Sequence, residues 1–187
     1  MNLQLPAQRL DKSEFLAWLD GQQERYELAK GSVVMMTRAT RAHAVIVSNL
    51  LLMLHGQLDP RNWIVLTEFG LDAGPTTLRF PDVIVDRARG AGNDHTATAP
   101  ALAAEVLSPS TAAIDLGDKA AEYLQLSTLR AYLVFAQDCR KAWIWVRGSE
   151  GFPAGPRVVE GEHAVIEISA LNLRLPLSEI YAGVETN

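Results

Sequence analysis

Two stretches decide the fold: FPDVIVD at residues 80–86 and ALAAEVL at residues 101–107. Each is a short apolar run bounded by turn-forming residues, with the polar loop RARGAGNDHTATAP (87–100) between them and SPST (108–111) after the second. Runs of this length with such boundaries read as strands. Consecutive strands usually neighbour each other in a sheet. If these two pair antiparallel, the start of the first lies beside the end of the second, and Asp82 and Glu105 converge at one edge of the sheet. Side chains alternate between faces along a strand, so Asp82 shares a face with Ile84 and Glu105 with Ala103. Two carboxylates set in apolar strands repel each other and resist burial. A divalent cation relieves both problems. Mg²⁺ takes oxygen ligands, typically one or two carboxylates with waters and a substrate phosphate, and a metal so held polarises a phosphoryl oxygen and activates a water.

Reading outward from this pair, DLGDKAAEYLQL (115–126) is a helix with Asp115 near its start. Lys119, Glu122, Tyr123 and Leu126 fall on one of its faces. From there Lys119 reaches back over the strand end, where it would orient a water and stabilise charge on a pentavalent phosphorus. Its bland reading is a solvated lysine paired with Glu122 or Asp115. On the N-terminal side, SEFLAWLD (13–20) is a short helix opened by a capping Ser13. RYELAKGSVVMMT (25–37) is a hairpin around Gly31. Residues 41–58 form the longest helix, because His43, Val47, Leu50, Leu54 and Leu58 make one stripe at helical spacing. NWIVLTEFGLDA (62–73) is a strand. On the C-terminal side, AYLVFA (131–136) and KAWIWVRG (141–148) are strands around a turn at 137–140, followed by short strands and a last helical turn near LSEIY. Trp143 and Trp145 alternate with Ile144 and share one face, expected in the core, or marking an interface if exposed. Strands and helices mix without strict βαβ alternation. The expected class is α/β or α+β, with a central mixed sheet flanked by helices.

Composition bounds the rest. The chain has 187 residues, which suits a single domain over 1–187 that buries a core without staples. A lone cysteine, Cys139, excludes an internal disulfide and a cysteine-rich zinc site. No apolar run follows a basic start, and none approaches the ~18–20 residues that span a bilayer. A cytoplasmic protein without a membrane segment is expected. The net charge of −5 lends no support to nucleic-acid binding, although clustering in space matters more than the sum. There is no phosphate-binding GxxxxGK[ST] loop and no GxSxG elbow, GAGNDH (90–95) lacks the third glycine of a dinucleotide site, and the four histidines have no metal-ligand spacing. The Arg87–Arg89 loop is either a phosphate contact or plain mobile surface. Ser108 and Ser110 are expected to cap the turn after Glu105.

These residues resemble the PD-(D/E)XK nuclease superfamily, with Pro81-Asp82 and Glu105 as its acidic pair. More narrowly, the chain is similar to the Uma-two family of restriction-endonuclease-like proteins, formerly a domain of unknown function. The resemblance rests on YELAKG at 26–31, His43 opening the long helix, PDVIV at 81–85, EVLSPST at 105–111, and Asp115, Lys119 and Tyr123 at four-residue intervals. It runs from about residue 13 to 180, and the seven-residue EVLSPST match is its most specific part. One departure matters: the superfamily lysine stands two residues after the acid on the same strand, and here that position is Leu107. Lys119 on the following helix is the substitute.

The resemblance implies a restriction-endonuclease-like α/β core and Mg²⁺- or Mn²⁺-dependent hydrolysis of phosphodiester bonds, with DNA as the expected substrate. Asp82 and Glu105 would hold the metal, with the Val106 backbone carbonyl as a further ligand. Lys119 would position the water. Glu27, His43 and Tyr123 are of second rank. Glu27 would meet the metal directly or through water, or else be an exposed strand residue. His43 is either a site residue or a packed, hydrogen-bonded histidine. Tyr123 is core or a support for the site. A homodimer would supply the two sites that cutting both strands needs. The alternatives are a nuclease-fold protein that binds nucleic acid or a protein partner without cutting, and an enzyme for a small phosphoester, which a cramped closed pocket would favour.

Overall fold

The computed structural model describes residues 8–108 and 112–185. Its main layer is a six-stranded mixed sheet. β3 (Trp63–Leu66), β6 (Val83–Arg87) and β7 (Leu102–Val106) lead into β8 (Ala131–Phe135), β9 (Lys141–Val146) and β10 (Arg157–Glu160), in the order β10-β9-β8-β7-β6-β3. β6 and β7 pair antiparallel as expected, with Val83 opposite Ala104 and Ile84 opposite Ala103. β7 and β8 pair parallel, and the helical crossover such a pair requires is the segment after Glu105.

Alternation sorts the strands between two cores. Val83 and Val85, with Leu102, Ala104 and Val106, face a core shared with α2 (Arg41–Gln57). Ile84, Ala103, Tyr132 and Val134 face a second core containing Ala120 and Tyr123. Helices therefore cover both faces. Trp145 is buried and Trp143 packs beside it in the second core. β11 (Val165–Ile168), β12 (Leu173–Pro176) and α4 (Leu177–Ile180) close the α2 side.

A smaller antiparallel sheet, ordered β2-β1-β5-β4, carries β1 (Tyr26–Ala29), β2 (Ser32–Met35), β4 (Leu71–Gly74) and β5 (Thr77–Arg79). Two expectations change here. Residues 62–73 are two strands in different sheets rather than one. Glu68 turns the chain in a left-handed conformation at φ 53°, and Gly70 then passes so close to the 95–96 backbone that a Cβ would stand 2.4 Å from the His95 carbonyl oxygen. β5, only three residues long, had no periodic signal. α1 (Lys12–Leu19) starts earlier than expected, because Asp11 rather than Ser13 caps it in a reciprocal box with Glu14.

The helix expected at 115–126 is shorter and mixed. A π-helical turn (Ile114–Lys119) runs into α3 (Ala120–Tyr123). The turn at 108–111 falls mostly outside the described residues, and Ser110 with it.

Candidate active site

Asp82 sits one residue ahead of β6, after Pro81. Extending the Val83–Ala104 register by one step places it opposite Glu105. The two carboxylates therefore meet at one edge of the sheet by backbone pairing alone. Asp82 Oδ2 accepts the Val106 backbone N–H at 2.8 Å and lies 3.1 Å from His43 Nε2. Thr40 caps α2 by accepting the His43 N–H, which aims the first turn of that helix at the strand ends.

Glu105 is 4% exposed. Its Oε1 accepts from Lys119 Nζ at 2.9 Å and from the Tyr123 hydroxyl at 3.1 Å. Lys119 is itself buried and also contacts Asp115 Oδ1 at 3.1 Å and Glu27 Oε2 at 3.8 Å, neither of them as a hydrogen bond. The π turn explains the convergence. A four-residue step overshoots one turn of an α-helix. The wider π turn takes up the excess, so Asp115, Lys119 and Tyr123 stay in line over the strand end.

Electrostatics follow from burial. Loss of water pushes the Glu105 carboxyl up to about 8; Lys119 opposes the shift, and Asp82 and Asp115 add to it. Burial works against the Lys119 charge, but Glu105, Glu27 and Asp115 outweigh it and hold the ammonium well above the usual lysine range. Lys119 is thus a fixed cation and donor. Burial, with the Glu105 charge, likewise keeps Tyr123 protonated.

The structure brings together Asp82, Glu105, Lys119, Glu27, His43, Tyr123 and Val106. Lys119 pairs with Asp115, Glu105 and Glu27, while Glu122 goes elsewhere. Glu27 is buried rather than an exposed strand residue. The sequence reading missed Arg79. It is 2% exposed and donates to Glu27 Oε1 at 2.7 Å and to both Glu122 oxygens at 2.8 and 2.9 Å. Its signal was a lone arginine in the apolar run Leu78-Arg79-Phe80. The Arg87–Arg89 loop lies at the other end of β6 from Asp82, with Arg87 over the Trp63 ring.

Four carboxylates (Glu27, Glu105, Asp115, Glu122) thus share two cations (Arg79, Lys119), with Asp82 beside them on His43. Glu27 Oε2 and Asp115 Oδ1 are buried without a hydrogen bond. Excess negative charge and hard oxygen donors fit a divalent cation. Among the described residues no three acid or histidine side chains are grouped to enclose one, so water and substrate oxygens would complete its shell. A groove of about 190 Å³ opens over Asp82, Glu105 and Lys119, bordered by the exposed residues Thr37, Arg38, Ala39 and Thr40. Among the described residues no helix is long and apolar enough to cross a membrane.

Comparisons place this geometry among known proteins. The crystal structure of a "putative nuclease belonging to DUF820" from Anabaena variabilis superposes with a TM-score of 0.76 at 17% identity, covering 92% of this chain and 98% of that one. That likeness is one of fold: a central mixed sheet flanked by helices. "Uncharacterized protein slr1290" of Synechocystis sp. is 25% identical over 96% of this chain and 95% of its own length. The model of the Uma2 family, described as "Putative restriction endonuclease", matches residues 13–178, and the chain belongs to that family.

Proposed function

We propose that the protein is a divalent-metal-dependent endonuclease that hydrolyses phosphodiester bonds, with DNA as its substrate. The observation that carries this reading is the convergence of Asp82 and Glu105 on adjoining strand ends, in one groove with the locked cation Lys119. The family's description and the nuclease-named structural neighbour support it.

Asp82 and Glu105 would hold the cation, with the Val106 carbonyl as a further ligand. When bound, it would polarise a phosphoryl oxygen and make water a nucleophile at neutral pH. The protein's own groups do the rest. His43 and the Val106 N–H fix Asp82 through one oxygen. Tyr123 fixes Glu105. Lys119 keeps its proton, so it orients the attacking water and stabilises charge developing on the phosphoryl oxygens, and it is not the general base. The groove is bordered by an exposed segment, which suits a polymeric phosphodiester better than a small phosphoester. Two copies would supply one site for each strand of a duplex.

The test is nicking of supercoiled plasmid with Mg²⁺ or Mn²⁺, comparing wild type with Asp82→Ala purified identically. Metal-dependent cleavage reduced about a hundredfold or more in the variant is expected. Equal activity in both would remove Asp82 from the site. No cleavage by either protein would reject the nuclease reading in favour of a binding role.

A further inference from the structure

Lys119 has two sets of partners within reach and hydrogen-bonds only one. It donates to Glu105 Oε1 at 2.9 Å. Two further carboxylate oxygens, Glu27 Oε2 at 3.8 Å and Asp115 Oδ1 at 3.1 Å, are buried beside it with no hydrogen bond. Orphaned buried acceptors are costly and call for a reason. Glu27 does not drift there. Arg79 grips its other oxygen at 2.7 Å and is itself anchored by a two-pronged contact to Glu122. Nearly all of Arg79 and of Glu27 is shut off from water.

We propose that Arg79 is a positioning residue: it holds Glu27 as a waiting acceptor, so that Lys119 can leave Glu105 when Glu105 binds a divalent cation. Glu27 then acts as the counter-ion of Lys119 rather than as a ligand. The idea rests on the metal site of the proposed function and adds a handover to it. Asp115 Oδ1 stays beside the freed ammonium in either case; without Glu27 it would be the sole carboxylate left to it, and cation binding would weaken accordingly. Arg79 is the component that sequence spacing alone does not reveal, and its planar fork is what a lysine cannot copy.

The experiment measures Mn²⁺ binding to the full chain without nucleic acid, by the electron paramagnetic resonance of the free ion, with thermal melts to confirm folding. Glu27→Gln and Arg79→Lys are each expected to weaken binding about tenfold. Arg79→Lys keeps every charge, so a purely long-range electrostatic role predicts no change there. In a Lys119→Met background the Glu27→Gln effect should vanish, because its target is gone. An equal loss in both backgrounds would make Glu27 a ligand and overturn the proposal, as would unaltered affinity in Arg79→Lys. Should Lys119→Met fail to fold, the ¹⁵Nζ resonance of Lys119 in wild type decides. It should shift on Mg²⁺ saturation to a position that saturated Glu27→Gln does not reproduce; no shift in wild type overturns the handover. Wild type that binds no Mn²⁺ also overturns it. Plasmid cleavage judges the nuclease reading separately, since Arg79-dependent Mn²⁺ binding without cleavage would leave the handover standing.

Discussion

The burial of Glu105 makes the stability of the folded chain depend on pH. Burial raises its carboxyl from 4.5 to about 8. Between those values the folded state binds more protons than the unfolded one, so stability falls as pH rises. The contribution is complete below pH 4.5 and is lost as pH climbs through 8. Melts in a chelator should therefore show Tm dropping from pH 5 to pH 8, with a shallower drop in Glu105→Gln and partial recovery on adding Mg²⁺. Parallel slopes for the two proteins would refute the assignment. The same burial explains why Glu105 was legible in the sequence, since a carboxylate inside an apolar strand has few bland explanations; Asp82, which by itself reads equally as a strand-entry residue, was legible only beside EVLSPST. Arg79, with only Leu78 and Phe80 as apolar neighbours, was overlooked. Its partners Glu122 and Glu27 lie 43 and 52 positions away, so nothing local announced them.

At the scale of the element, the π turn sets the site's register. Four-residue spacing of Asp115, Lys119 and Tyr123 reads as α-helix, and a helix does stand there. The extra residue that widens one turn leaves no mark on hydrophobic periodicity, so the turn could not be read. Long periodic elements such as α2, and the pairing of β6 with β7, were readable because burial imposes their pattern. β4 and β5 were not, being three or four residues long and defined by a backbone turn at Glu68 and a close approach at Gly70. Gly117 is exposed within the π turn, and nothing lies within 4 Å of where its Cβ would be. Deleting it should let the segment relax to α-helix with one residue less between Asp115 and Lys119, which shifts the lysine relative to Glu105 by about the 1.5 Å rise of a residue. Circular dichroism should stay close to wild type, while plasmid cleavage should fall about a hundredfold, as expected for a catalytic group displaced by about an ångström. Full activity in the deletion would show that the π turn does not set the lysine.

Across the whole molecule, the site draws on every layer. Glu27 comes from the small sheet, Asp82 and Glu105 from the large one, His43 from α2, and Lys119 from the crossover. Its geometry holds only if these layers stay docked, and the C-terminal segment is the part farthest along the chain that docks them. Ile166, Ile168, Leu173, Leu175, Leu177 and Ile180 are buried in the core between α2 and the large sheet. Asn49 of α2 donates to the Ile180 and Ala182 carbonyls, and the single Tyr181 hydroxyl proton is shared between the carbonyls of Ala136 and Lys141 at the β8–β9 turn. At about 1.5–3 kcal/mol for each buried side chain, these six residues alone stand for roughly 9–18 kcal/mol. That rivals the ~5–15 kcal/mol by which whole domains are stable. Removing residues 161–187 should therefore abolish cooperative unfolding, not merely lower Tm, although every proposed catalytic residue is retained. The intact chain should unfold in one calorimetric transition whose van't Hoff and calorimetric enthalpies agree. A truncated chain that still melts cooperatively would mean that the large sheet and α2 hold the site by themselves, and that the C-terminal segment is an addition to the fold rather than part of its core.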